Sequence, residues 1–411
     1  MGRQRYQMNK ITETHAVNRM ILLFTALYLI SYVTRINYGA VIAELVSAEG
    51  IQKSLASLAL TASAVTYGAG QLISGFLGDR IQAKKLIFSG LLVTIFMNLL
   101  IPFCRTPYQM TAVWGINGMA QAFMWPPLVK IMTVLFTEET YKKACVIVSW
   151  GSSCGTILVY LLSPVCIYFA GWRAIFVLSA LCAAVMAAIW LKKCPGVKEF
   201  SGVAATETQE RKPLTRNIIF LLPGIMLAIA LQGMLRDGVT TWMPSYISET
   251  FHLSSKISIL TGVVLPVFSI VTFQVTSLIY RKKVRNELLL SGMLYLTGFT
   301  AALVLALTNG ANAGLSVFLT ALLTGSMHGV NLILVCMVPP YFKRFGRISF
   351  ASGMLNFCTY VGSAVSAFGM AVFSERFGWN STVFLWSAIA LFGGGACLAI
   401  SKCWGRFAKE A

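Results

Sequence analysis

The sequence predicts an all-α membrane protein: twelve transmembrane helices in two pseudo-symmetric six-helix bundles. Three observations carry that expectation. The chain is 57% hydrophobic and only 11% charged, against roughly 25% charged residues in an ordinary soluble domain. Its apolar stretches recur at lengths near the ~20 residues that cross a bilayer as a helix. Features also repeat at one offset of 201 residues, pairing Arg35 with Arg236, Ser54 with Ser255, Ser57 with Ser258 and Arg80 with Arg281. This composition excludes a soluble enzyme, a disordered chain and a disulfide-stapled scaffold.

In chain order, the apolar stretches fall near 19–42, 54–77, 85–104, 109–134, 144–169 and 173–191, then 217–246, 255–280, 287–308, 313–338, 349–373 and 380–401. The first follows a basic segment and is longer than a signal-peptide core, so it is expected to be retained as a span. The most polar stretch, 192–216, is expected to link an N-terminal bundle (1–191) to a C-terminal bundle (217–411). GWRAIFVLSA at 171–180 has an echo in GWNSTVFLWSA at 378–388, a further sign of a repeated half. Ten cysteines lie mostly inside apolar segments with no metal-ligand spacing and are expected to be small buried residues.

Charge placement sets the expected orientation. Of 33 Lys and Arg, Arg35, Lys130 and Arg236 sit within spans. Lys53, Arg105, Arg173, Lys256 and Arg376 fall on one side, and the remaining 25 fall on the side holding both termini. The positive-inside rule then puts both termini in the cytoplasm of what is expected to be a bacterial inner-membrane protein. The net charge of +19 is thus a topology signal, with no nucleic-acid partner implied.

Two features carry function. After the second span, GFLGDRIQAKK supplies Gly75, Gly78, Asp79, Arg80, Lys84 and Lys85. Glycine allows close helix approach, and a carboxylate beside cations suits a charge-assisted latch at the membrane rim. A gating role is expected for Gly75, Asp79, Arg80 and Lys84, with Lys130 of the fourth span as a further packing or gating cation. The second feature is the pair Arg35 and Arg236. A mid-span Arg costs about 2.5–3.5 kcal/mol on insertion scales and normally faces the bundle interior. Asp237 adjoins Arg236 but points about 100° around the helix axis, and Glu44 lies near a helix end, so both guanidiniums are expected to lack counter-ions. No other acid is read within a span. A cavity holding both would attract an anion, and guanidinium matches phosphate or carboxylate bidentately. Tyr28 and Tyr32 precede Arg35 by seven and three residues and share its face, while Tyr67 is expected to face inward on the second span with Gln71.

At these residues the chain resembles the organophosphate:phosphate antiporters of the major facilitator superfamily, the branch of glycerol-3-phosphate and hexose-phosphate exchangers. The likeness runs through YVTRINY in the first span, WGINGMAQAFMWPPLVKIM in the fourth, RDGVTTWMPSYI in the seventh and YVGSAVSAFGMAVFSERFGWN in the eleventh. It implies Arg35 and Arg236 as the two phosphate-binding arginines and Tyr360 as a further cavity hydroxyl. It departs from the pattern at Gln71 and Ile36, where glycerol-3-phosphate carriers have Lys, and at Cys154, where a His is common. Lys130 stands where the family has Arg.

The expected function is secondary transport of a phosphorylated organic anion (a sugar phosphate, glycerol phosphate or phosphonate) in exchange for inorganic phosphate. Phosphate would be held between Arg35 and Arg236, with Tyr28, Tyr32, Tyr67, Gln71, Cys154 and Tyr360 around it. The expected carrier is a functional monomer in the lipid bilayer, needs no cofactor and is not an enzyme. A hexuronate-like carboxylate transporter and a non-transporting phosphate-ester sensor are the alternatives.

Overall fold

The computed structural model describes residues 10–51, 53–195, 216–252, 264–308 and 311–410. The expected linker at 192–216 lies mostly outside them, as do Ser255 and Ser258 and the side chains of Ser54 and Ser57. Twelve helices form the described chain: α1 (Thr14–Glu49), α2 (Lys53–Gly78), α3 (Ala83–Leu100), α4 (Pro107–Gln121), α5 (Trp125–Leu135), α6 (Glu138–Ala170), α7 (Arg173–Lys193), α8 (Arg216–Phe251), α9 (Val264–Lys282), α10 (Glu287–Thr308), α11 (Ala313–Asn331) and α12 (Ile348–Glu410).

Helices and spans differ in two places. The fourth span is broken into α4 and α5, because Pro126 and Pro127 lack the N–H that a continuous helix needs and instead start a new one. Conversely, α12 holds the eleventh and twelfth spans in one run, bent where Gly378 adopts φ 76°. The tenth span extends α11 through a π-helical turn (Leu332–Met337) and a 3₁₀ turn (Pro339–Phe345). Nine stretches among the described residues are long and apolar enough to cross a bilayer by length and composition. The spans missing from that set are the Gly- and Ser-rich second, the broken fourth and the seventh, which carries Arg236 and Asp237.

Each half packs chiefly within itself: α1 on α6 and α7, α2 on α4 and α3 on α7, then α8 and α10 on α12 and α11 on α8. A buried polar spine fixes α1. Ser31 Oγ donates to Gln121 Oε1 (2.6 Å), Gln121 Nε2 to Thr34 Oγ1 (2.8 Å) and Asn37 Nδ2 to Asn98 Oδ1 (2.8 Å). Asn117 and Gln121, prominent in the fourth-span motif, therefore orient α1 from a fully buried position. Such a buried network specifies one rotation of the helix about its axis.

The repeat is visible as matched clasps on the face opposite the termini. Trp172, following Gly171 (φ 74°), donates from Nε1 to Glu49 at the end of α1 (3.2 Å), which also pairs with Arg173 (2.9 Å). Trp379, following Gly378, donates in the same way to Glu249 near the end of α8 (2.6 Å). The echoed Gly-Trp strings thus occupy equivalent corners. Both clasps stay within their own half. Glu287, which begins α10, is fully buried and corrects the expectation that no further acid lies within a span. It accepts from the hydroxyls of Tyr280 and Tyr341 and from Trp404 Nε1, so neutral donors satisfy it.

A cavity between the halves and a closed rim

Between the halves lies a cavity of ≈330 Å³ lined by α1, α2, α5, α6, α8, α9, α11 and α12. Tyr28, Tyr32, Arg35, Tyr67, Arg236 and Tyr360 all line it. The guanidinium of Arg35 stands 4.1 Å from the Tyr32 ring centroid and 4.6 Å from that of Tyr67. Tyr28 packs against Tyr32 (5.2 Å) and Trp125 (4.8 Å), and Tyr67 against Tyr360 across the seam (4.7 Å). Among the described residues no carboxylate pairs with Arg35. Stacked aromatic faces return about 0.5–2 kcal/mol to such a cation without neutralising it.

Arg236 corrects the sequence-based expectation of two unpaired arginines. Its Nε donates to Asp237 Oδ1 (2.6 Å) and its Nη2 to Oδ2 (2.9 Å). Adjacent side chains leave the helix about 100° apart, yet the long arginine folds back far enough to close the pair. Ser363 of α12 donates its hydroxyl to Asp237 and fixes the carboxylate from the other side. The two N–H groups on Nη1 of Arg236 are not engaged among the described residues.

Two proposed substrate contacts fall elsewhere. Gln71 is fully buried behind the wall; its Oε1 accepts from Asn356 Nδ2 (3.3 Å), and its own amide nitrogen has no partner among the described residues. Cys154 is exposed on the outer face of α6 and does not line the cavity. The inner face of α6 instead presents Ser149, Ser152, Ser153 and Thr156. Their spacing of three, four and seven residues forms a helical stripe in SWGSSCGT, and none of the four is among the expected contacts. His328, Asn331 and Asn356 also line the cavity; of these, His328 reaches the Thr324 carbonyl with Nδ1 (2.9 Å).

The rim on the face of the termini is closed. Lys10 and Ala408 line one pocket there, which places both ends of the described chain on the same face. Asp79 accepts the backbone N–H groups of Ser349 (3.0 Å) and Phe350 (2.9 Å) with its two oxygens. An N-half carboxylate thereby caps the first turn of α12 in the C-half, where the helix dipole favours negative charge. Gly75 permits this contact, because a Cβ there would stand 2.7 Å from the Ser349 carbonyl oxygen. Ser349 Oγ donates to the Pro126 carbonyl (3.1 Å), and Lys130 donates to the Gly78 carbonyl (2.7 Å). Tyr141 of α6 closes the other flank by donating to the Cys336 carbonyl in the π turn. Arg80 is exposed over the Phe76 ring (3.6 Å). Lys84 points away from the seam and caps the end of α7 at the Leu191 (2.8 Å) and Cys194 (2.6 Å) carbonyls.

Comparison with known proteins agrees with this architecture. Residues 24–367 match the model of the Major Facilitator Superfamily. The glycerol-3-phosphate transporter of Bacillus subtilis (strain 168) is 24% identical over 406 residues, covering 90% of this chain and 86% of that protein. A probable hexose phosphate transport protein of Chlamydia muridarum is 23% identical over 188 residues, so the match spans 46% of this chain and only 41% of that relative's length. The membrane sensor protein UhpC of Escherichia coli (strain K12) is 24% identical over 243 residues, 54% of this chain and 55% of the sensor. Among solved structures, the proton:xylose symporter XylE superposes with a TM-score of 0.74 at 13% identity, over 94% of this chain and 96% of that one. The transporter FucP in its outward conformation gives 0.69 at 12% identity, over 95% and 99%.

Proposed function

The chain belongs to the Major Facilitator Superfamily, and from that premise we propose that it exchanges a phosphorylated organic anion for inorganic phosphate by alternating access. The observation that carries this reading is Arg35, a cation without an acidic partner among the described residues, caged by Tyr32 and Tyr67 in the cavity between the halves. The similarity to glycerol-phosphate and hexose-phosphate transporters supports a phosphate head group as its ligand.

In this reading the anion enters from the face opposite the termini, because the rim on the terminal face is closed by Asp79 on α12 and Tyr141 on the π turn. The positive-inside rule makes the closed face cytoplasmic. Phosphate binds Arg35 first, and the Nη1 side of Arg236 supplies the contact from the other half while Asp237 keeps its grip on Nε and Nη2. Bridging draws the halves together, and the Asp79 cap must break for the cytoplasmic rim to open. Closing the empty cavity would bury Arg35 without a counter-ion, which is costly in a drying interior. Return without an anion is therefore slow and exchange is favoured over uniport. The penalty rests on one arginine, not two, since Arg236 carries its own carboxylate.

The test is phosphate exchange in proteoliposomes. Arg35→Lys keeps the charge but loses the planar, bidentate donor set, and exchange is expected to be lost. Undiminished exchange by that variant refutes the assigned site. A non-transporting sensor is a second reading, favoured by the similarity to UhpC. Net uptake of labelled organic phosphate into phosphate-loaded vesicles separates the two.

A further inference from the structure

The walls of the cavity constrain the remainder of the ligand as well as its anionic head. This step rests on the reading above that Arg35 anchors the head. Every aliphatic hydroxyl in the lining has spent its proton on the protein. Ser149 donates to the Cys145 carbonyl (2.7 Å), Ser152 to Ser149 (2.7 Å) and Thr156 to Ser152 (2.9 Å), each along α6 itself. Ser269 donates to the Pro266 carbonyl (2.7 Å), which obliges Ser153 to be the donor in the 2.9 Å contact between the two serines. Thr240 donates to the Arg236 carbonyl (2.6 Å). A hydroxyl so engaged offers only lone pairs. The amide nitrogens of Asn331 and Asn356 each direct one of their two N–H groups to Gln232 Oε1 (3.4 Å) and Gln71 Oε1 (3.3 Å).

The lining therefore holds two kinds of group. Arg35 and the unengaged Nη1 of Arg236 supply charged donors, and the hydroxyls of α6, Thr240 and Ser269 supply a wall of acceptors. A fully ionised phosphate, which only accepts hydrogen bonds, suits the first kind and is mismatched to the second. Charge gives a second, independent constraint. The charged groups lining the cavity are Arg35, Arg236 and Asp237. Arg236 and Asp237 cancel, and His328 commits its Nδ1 proton to a carbonyl and is counted as neutral. The lining thus carries one net positive charge. A dianionic phosphomonoester would leave one negative charge uncompensated in a low-dielectric space, whereas a ligand of net charge −1 leaves none.

We infer that the organic substrate bears an ammonium group: an amino-substituted phosphate or phosphonate whose anionic head sits on Arg35 and whose ammonium lies against the hydroxyl oxygens of α6. An ammonium has three donors and no acceptor, the complement of that wall. It also lowers the net charge of an ionised phosphonate to −1. Ser152 and Thr156 are then the residues that separate such a ligand from a plain phosphonate of equal length.

The test uses the full chain in proteoliposomes loaded with phosphate, with labelled inorganic phosphate outside. Competitors are 2-aminoethylphosphonate, ethylphosphonate and N-acetyl-2-aminoethylphosphonate. Half-inhibition by the amino compound is expected at a concentration at least about tenfold below that of the other two, one charge-assisted hydrogen bond or more. The double variant Ser152→Ala/Thr156→Val should reduce that preference to about threefold or less. The competitor series on the unmodified protein decides the matter even if the variant does not fold. Equal inhibition by all three overturns the ammonium assignment and leaves the anion-exchange reading standing. Phosphate exchange that none of them inhibits, and that Arg35→Lys leaves intact, overturns both.

Discussion

Arg35 and Arg236 stand 201 residues apart in sequence, at matching places in the two halves, yet their surroundings differ. Arg35 is held by the faces of Tyr32 and Tyr67 and has no carboxylate partner among the described residues. Arg236 is clamped bidentately by Asp237, which Ser363 secures in turn. Aromatic rings stabilise a cation without neutralising it, whereas a carboxylate removes its net charge. The inherited symmetry of the fold therefore does not extend to the electrostatics of the site. One half brings a cation without an acidic partner among the described residues, and the other brings a compensated pair.

Breaking the clamp is the largest expected perturbation. Asp237→Asn leaves Arg236 partly buried and unpaired, which should cost about 3–5 kcal/mol. Arg236→Gln in the same chain should recover most of that loss, and inorganic phosphate should raise the melting temperature of the single variant more than that of the unmodified protein. A thermal-shift series that finds Asp237→Asn neutral would show the pair to be dispensable. Next come the arginines themselves. Arg35→Gln is expected to lower phosphate affinity by about ten- to a hundredfold, the worth of charged hydrogen bonds near 1.5–3 kcal/mol. Arg236→Gln should lower it less, and equal losses in exchange assays would erase the proposed asymmetry. Tyr67→Leu removes one aromatic face from Arg35, with an expected loss of about 1 kcal/mol or roughly fivefold in affinity. Phosphate competition measures it. Smallest is Asp79→Asn at the closed rim. A charge at a helix N-terminus is worth about 0.3–1 kcal/mol, so the equilibrium should shift by up to about fivefold toward opening of that face, read as faster labelling of a cysteine introduced at Phe350.

Part of the candidate site is legible in the sequence. Arg35 with Tyr28 and Tyr32 follows from helical spacing alone, and all three reach the cavity. The sequence leads one to expect a rim contact from Asp79 but does not name its partner. The expectation looked to nearby cations, whereas its oxygens cap Ser349 and Phe350, some 270 residues away. A backbone N–H leaves no mark in a sequence, so a carboxylate that seeks a helix terminus has no legible target. Asn117 and Gln121 were recognisable as a motif, but only packing shows them orienting α1. Gln71 and Cys154 failed for a different reason. Membership of an interior-facing helix does not fix which side faces the cavity, and a rotation of one residue, about 100°, moves Cys154 outward and Ser152 and Ser153 inward.

The sequence by itself determined that this chain spans a bilayer in two related halves, and that Arg35 and Arg236 stand at matching places within spans. Composition, length and charge placement suffice for that, since hydrocarbon tolerates so few backbone solutions and so few uncompensated charges. The structure decided which arginine has an acidic partner, which helix end Asp79 closes and which hydroxyls have donated their protons to the protein. The Asp79 cap joins groups some 270 residues apart, and the Arg236–Asp237 pair and the α6 hydroxyls turn on side-chain rotamers, which spacing along the chain does not encode.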